Sequence, residues 1–556
     1  KDGDKQRYKR EVGLGLLSSR ATFEGPIVKN KASFLVSARR SYADVLAAPI
    51  IKATAKGSSL GANFYDFNAK VNYQIDKKNS IYLSGYLGKD RFSSKSNPEK
   101  ESFSKMVFGW GNTIGSLRWS HIFNPRLFAN MSVNYSNYRM GINMQERFQG
   151  ETYKMSLLSS IDDIGGKYDF SYFANSNHTI RAGYKITRHY FKPSTFVEIE
   201  KGQKFPNPNK EYESWEHNLY LDDEWKISKK LAANLGLRGT AFIAGSRPYF
   251  NIEPRASARF LIDDQTSVKA SYTIMNQYLH LLTSSSLNLP SDLWVPATDK
   301  IGPQRAQQYS LGFFRDIEHP GLSLSLEGYY KDMSNIITYK EGVSFFDMED
   351  PAELSKNGAF EDKVSSGIGH SYGAELMVQK PKGRLNGWLA YTLSWTKFKF
   401  EDINNGKFFY PRFDRRHDLN LVGFYELSPR IRINALFTIA TGNPIIITRQ
   451  DGTTVSNIPA DGNLANPGIY LDNASIFSGR NDFRTELYHR MDLGIQFSRE
   501  RKKGTRTWEF SFYNLYNRKN PFFYSMEYNN SGNERALYKY TIFPFIPSFT
   551  YSFKFK

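Results

Sequence analysis

The stretch Tyr65-Asp66-Phe67-Asn68-Ala69-Lys70-Val71-Asn72-Tyr73-Gln74-Ile75 decides the fold. Every odd position is apolar or aromatic and every even one polar, a period of two that sends the sets to opposite faces of a strand. The pattern recurs along the chain. Val268, Ala270, Tyr272 and Ile274 alternate with Lys269, Ser271 and Thr273, and Phe549, Tyr551, Phe553 and Phe555 with Thr550, Ser552, Lys554 and Lys556. Ile431, Ile433, Ala435 and Phe437 alternate in the same way, with Leu436 the one lapse. A soluble sandwich also alternates, but its strands average about five or six residues. Here the alternation runs for ten residues or more, the length a tilted strand needs to cross a bilayer. One face is rich in Lys, Arg, Asn, Gln and Ser, which suits a wet lumen. The other is Leu, Ile, Val, Phe and Tyr, which suits lipid.

Short turn signals join pairs of these strands, among them Asp76-Lys77-Lys78-Asn79, Asn124-Pro125-Arg126, His319-Pro320-Gly321 and Pro381-Lys382-Gly383. Longer Gly-, Asn- and Ser-rich stretches at 279–303, 339–365 and 448–482 separate one hairpin from the next. Short connections on one rim and long ones on the other define an up-and-down barrel. Counting from residue 9 gives 22 antiparallel strands, the last three at 483–499, 505–528 and 537–555. A barrel that wide needs a plug. The expected architecture is all-β: a transmembrane barrel with short periplasmic turns and long extracellular loops.

Composition narrows the alternatives. The 556 residues would suggest several ordinary domains at about 100–200 residues each, yet the texture is uniform throughout. No apolar run reaches the length of about 18 residues that marks a transmembrane helix. Zero cysteines exclude disulfides, thiolate metal sites and cysteine nucleophiles. The excess of 74 Lys+Arg over 55 Asp+Glu gives +19. Those cations fall on polar strand faces and in short turns such as Lys77, Lys78, Lys229, Lys230, Lys382, Arg501, Lys502 and Lys503, where phospholipid head groups or plain solvation, rather than nucleic acid, are the expected surroundings. Lumen cations such as Lys70, Arg181, Lys185, Lys269 and Arg432 are expected to face a plug. Trp119, Trp225 and Trp508 fall near the short-turn rim and Trp110, Trp215 and Trp395 towards the other, as interfacial aromatic belts do.

Chemistry-bearing motifs are few. Gly369-His370-Ser371-Tyr372-Gly373 matches the G-x-S-x-G elbow of serine hydrolases, which requires a helix after the serine. Alternation continues instead through Ala374, Leu376 and Val378, so a strand is expected and Ser371 inert. The nine histidines lack metal-site spacing. Asp451, Asp461, Asn463 and Asp472 share a loop and carry oxygen ligands, without EF-hand spacing. Asp350-Pro351-Ala352-Glu353 reads as a capping box opening a short acidic helix. No cofactor and no enzymatic activity are expected.

Several motifs carry a family resemblance. Trp119-Ser120-His121-Ile122-Phe123-Asn124-Pro125-Arg126-Leu127, Phe250-Asn251-Ile252-Glu253-Pro254-Arg255 and Asn514-Leu515-Tyr516-Asn517-Arg518-Lys519-Asn520-Pro521-Phe522 resemble signatures of TonB-dependent outer-membrane receptors. Phe23-Glu24-Gly25-Pro26-Ile27 followed by Ala32-Ser33-Phe34-Leu35-Val36 resembles the opening strands of Bacteroidetes-type members. The resemblance implies a bacterial outer-membrane location, an N-terminal plug contacted by TonB, and import of a siderophore, glycan, peptide or similar nutrient. Residues 1–8 resemble the exit from such a plug, absent from this chain, and residues 9–556 the barrel. Two other roles stay open: a scaffold docking a surface lipoprotein or other outer-membrane proteins, and a passive porin.

For the substrate, the long segment 279–303 presents Asp292 and Trp294 between Pro290 and Pro296, which restrict the backbone holding them. The segment 399–413 adds Phe409 and Tyr410. Indole and phenol rings offer stacking faces and the carboxylate an acceptor. The competing reading has Trp294 packing its loop against the barrel wall or the plug.

Overall fold

The computed structural model describes residues 2–42, 44–45, 59–99, 102–148, 151–200, 203–206, 211–282, 293–341, 360–447, 450–456, 470–476, 479–528 and 535–556. The alternating stretches form one antiparallel sheet of 23 strands. One of them, Gln203–Pro206, pairs on a single side with the far end of His178–Glu200. The remaining 22 form a wall that closes on itself: Lys9–Gly15 pairs with Ser18–Val28 on one side and with Ile546–Phe555 on the other. Closure satisfies the backbone of every wall strand, which hydrocarbon demands.

The expected faces hold. Leu83, Leu117 and Val133 stand opposite one another on three neighbouring strands and point outward, exposed. Phe250 and Ile252 do the same on Arg247–Leu261. Inward, Ser116 bonds Asn134 at 2.6 Å and Ser271 bonds Ser310 at 2.6 Å. Asn72 departs from its expected role as a free lumen residue. It is buried, donating to Ser33 Oγ at 2.7 Å, and Ser33 in turn donates to the Gly3 carbonyl at 2.7 Å. The segment from Asp2 to Asp4 therefore lies on the lumen side of the wall, where Asp2 also meets Lys70.

Wall height is uneven. Ile431–Ala440, Gly504–Tyr513 and Ile546–Phe555 have 10 residues each. At about 3.3 Å per residue and a tilt near 45°, that spans roughly 23 Å, the height of the apolar band. Ser102–Asn124, Glu151–Phe173 and His178–Glu200 have 23 residues each and rise to roughly 50 Å by the same arithmetic. Half of that wall stands clear of the bilayer on the long-loop side. Trp110 belongs to this part and faces inward, its ring tilted against Phe108 at 5.1 Å, rather than joining the outer belt. Trp119, Trp215 and Trp225 are outward and exposed as expected.

The expected strand 505–528 is broken. It leaves the wall after Tyr513, because Asn514 adopts φ +53° and its side chain ties Arg518 and Phe543 carbonyls at 2.9 and 3.1 Å. Pro521–Tyr528 then pairs with Arg535–Thr541 as a separate hairpin. The motif beginning at Asn514 is thus a side-chain-locked turn, and the last wall strand shortens to Ile546–Phe555.

Candidate functional site

The connection between Thr266–Gln277 and Gln304–Ile317 does not stand up from the rim. Leu279–Leu282 pairs with Leu293–Pro296, putting His280, Leu282, Leu293 and Val295 on one buried face and Leu281 and Trp294 on the other. The buried face forms one cluster with Phe108, Met140, Ile142 and Leu157 of the tall wall, and with Tyr339 and Val364. Phe108 lies on the sixth wall strand, whereas the hairpin emerges between the thirteenth and fourteenth. Contact across that many strands is possible only through the lumen, so the hairpin crosses the mouth. Burying each Leu or Val contributes roughly 1.5–3 kcal/mol, enough to hold the crossing.

Polar anchors fix both ends. The Ala297 amide donates to the Tyr278 carbonyl at 2.7 Å, and the Tyr278 ring lies parallel to Phe242 at 4.7 Å. The Tyr249 hydroxyl donates to the Thr298 carbonyl at 2.7 Å. Asp299 accepts from the Ser246 hydroxyl at 2.7 Å and the Arg247 amide at 2.9 Å, which holds its carboxyl below the usual range. Gly245 makes this turn possible: its φ is +67°, a region L side chains avoid. His280 is buried, and loss of solvation lowers its pKa to about 4, so it is neutral under the hairpin at physiological pH.

Below the hairpin, a charged network lines the inner wall. His189 meets Asp163 at 2.7 Å and Glu216 at 3.4 Å. Arg238 approaches Glu216 at 3.5 Å and the buried Glu253 at 3.8 Å, and Arg255 reaches Glu253 at 3.5 Å. Glu253 also accepts from the Asn276 amide at 3.0 Å, immediately before the hairpin leaves the wall. Sequence reading missed His189, Glu253 and His280. Both His189 and Glu253 lie on the inward faces of their strands, and only the register brings their partners together.

Of the sequence-derived site residues, Trp294 lies half-buried in the mouth beside the exposed Leu281, and Asp292 falls outside the described residues. Phe409 bridges Phe398 through mutual backbone bonds of 2.9 Å and is buried with Met333, Ile336, Phe400 and Ile403. Tyr410 takes the opposite, outward face, ringed by Arg416 at 5.2 Å, Arg484 at 5.5 Å and Lys397 at 5.8 Å. The buried Asp414 holds Arg484 at 2.6 Å. Trp294 and Tyr410 accordingly lie on different sides of the wall.

Ser371 sits within the strand Val364–Lys380 with its hydroxyl 3.0 Å from Thr396 Oγ1, while His370 points to the other face and meets Asp332 at 2.9 Å. No elbow forms. Among the described residues no group of three or more His, Asp or Glu is placed to hold a metal. Asp461, Asn463 and the stretch 350–358 lie outside the described residues.

A closed 22-strand wall with an outward apolar band, a charged lumen and a loop folded into its mouth defines a large transmembrane β-barrel of the outer-membrane type. Comparison with known proteins narrows the class. The sequence model described as "TonB dependent receptor-like, beta-barrel" matches residues 53–517, and the chain belongs to that family. No curated protein matches by sequence. Among solved structures, the ferripyoverdine receptor of the Pseudomonas aeruginosa outer membrane superposes with a TM-score of 0.65 at 11% identity, covering 100% of this chain and 72% of that one. The ferric-catecholate import receptor Fiu of E. coli K12 gives 0.61 at 13%, covering 100% and 82%. BauA, the ferric preacinetobactin receptor of Acinetobacter baumannii, gives 0.63 at 12%, covering 100% and 81%. These identities carry the fold alone. The chain is an outer-membrane receptor barrel, in a family of transporters rather than enzymes.

Proposed function

We propose that this barrel imports a nutrient such as a siderophore, glycan or peptide across the outer membrane, driven by TonB acting on a plug seated in the lumen. The observation that carries the proposal is the hairpin Leu279–Leu282/Leu293–Pro296 folded across the mouth above a charged inner wall. A loop in that place closes the route over a captured ligand. Residues 1–8 are read as the exit segment from the plug, in keeping with Asp2 and Gly3 on the lumen side, and residues 9–556 as the barrel. Asp292 and Trp294 offer the ligand surface, with Phe409 and Tyr410 supporting the neighbouring rim loop. The similar structures are named for ferric siderophores and, in one case, copper. A second reading, a scaffold docking a surface lipoprotein, is favoured by the tall wall standing clear of the bilayer. Trp294→Ala tests the import reading: uptake or binding of the native nutrient should fall while the amount of folded barrel is unchanged. Unchanged uptake removes Trp294 from the site, and uptake that persists without TonB refutes energised import.

A further inference from the structure

At the periplasmic rim, the strand Tyr488–Arg501 pairs with Gly504–Tyr513 through the turn Lys502-Lys503. Its outward residues end in Phe497, Arg499 and Arg501. Across the pair, Phe497 stands opposite Trp508 and Arg499 directly opposite Arg506. Cross-strand neighbours of like charge repel, and Arg501 sits within the same mutual field. Arg10 joins them on Lys9–Gly15, outward by the alternation that sets Val12 opposite Phe553.

Among the described residues, no carboxylate balances this charge. The nearby carboxylates point into the lumen: Glu500 accepts from Thr505 at 2.6 Å and meets Lys556 at 3.6 Å, and Glu11 pairs with Arg20 at 3.3 Å. Among the described residues, Arg10, Arg499, Arg501 and Arg506 make no ion pair, and the Arg506 Nε is shielded without a hydrogen-bond partner. Elsewhere on the outward rim the opposite choice is made, with His178 given Asp223 at 2.7 Å. Arg506 lies 5.9 Å over the Trp508 ring, and Trp508 packs on Tyr551 at 4.6 Å and Phe549 at 5.1 Å. Unopposed arginines thus sit at the edge of an aromatic girdle, where the inner leaflet's phosphates meet its acyl chains.

We propose that this arginine cluster is a head-group site for an anionic phospholipid of the inner leaflet. The planar guanidinium forks of Arg499, Arg501 and Arg506 match phosphodiester oxygens, and Phe497 and Trp508 receive the glycerol end of the acyl chains. The phosphate relieves the repulsion that the cross-strand arginine pair otherwise imposes.

The test uses the full chain purified in a neutral detergent and titrated with phosphatidylglycerol, phosphatidylcholine or inorganic phosphate, with bound species read by native mass spectrometry. The expected result is at least tenfold tighter binding of phosphatidylglycerol than of phosphatidylcholine. That preference should fall to within twofold in the triple variant Arg499→Gln, Arg501→Gln, Arg506→Gln. Should the triple variant fail to fold, single Arg499→Gln and Arg499→Lys variants make the same comparison, the lysine retaining more of the preference. Equal binding of the two lipids, an unchanged preference in the folded variants, or inorganic phosphate displacing phosphatidylglycerol at equal concentration would each overturn the assignment.

Discussion

Replacing Leu117 with Arg puts the assignment of the two wall faces to its most direct test. Leu117 points outward between Leu83 and Val133, with relative exposures of 49%, 55% and 46%. It lies seven residues from Asn124, the end of its strand at the short-turn rim. At about 3.3 Å per residue and a 45° tilt, it sits roughly 16 Å above that rim, well inside the apolar band. A guanidinium held there costs about 2–4 kcal/mol. The neighbouring position Asn134 provides the control, because it is exposed to the lumen and bonded only through Ser116 and Ser132 side chains. Asn134→Arg should change stability by less than about 1 kcal/mol, as surface substitutions do. Asn72, also on the inward face, is a poor control because it is buried beneath Ser33 and Gly3. Urea unfolding in lipid vesicles, followed by the heat-dependent gel shift of folded barrels, measures both variants. Equal losses in the two, or no loss for Leu117→Arg, would refute the face assignment.

Leu282→Ala should loosen the mouth-crossing hairpin by about 2–5 kcal/mol, since Leu282 is 1% exposed within its cluster; faster amide exchange in 293–295, with the wall strands unchanged, is the expected signature. The same hairpin should open more readily in acid. His280 titrates near 4 when docked against 6.5 when free, so docking is fully favoured above about pH 6.5 and weakens as pH falls towards 4, by on the order of 3 kcal/mol at most. His280→Leu should abolish that dependence in pH-corrected exchange rates. Removing the buried carboxylate with Asp414→Ala leaves Arg484 unpaired and should cost about 3–5 kcal/mol locally, seen as protease cleavage within the 399–416 loop of an otherwise folded barrel. Ser371 should resist a fluorophosphonate probe, because its hydroxyl is bonded to Thr396 within a strand and its neighbour His370 points to the other face.

The residues by themselves determined the strands and their two faces, because a period of two is a local property that needs no knowledge of partners. Tyr65–Ile75 or Val268–Ile274 can be assigned without reference to anything else in the chain. Strand number followed, since turn residues such as Asn124-Pro125 punctuate the pattern. Tertiary structure decided the rest, for reasons of register and distance. Alternation looks alike inside and outside the bilayer, so the tall wall and the inward Trp110 could not be told from membrane-spanning residues. Leu282, Leu293 and Val295 read as a short apolar loop until their partners, seven strands away around the wall, were in place. Asn72 alternates as a lumen residue should, yet it is buried by a segment some seventy positions earlier. Arg499 and Arg506 face one another only because the Lys502-Lys503 turn sets their register, and a one-residue slip would have placed one of them in the lumen.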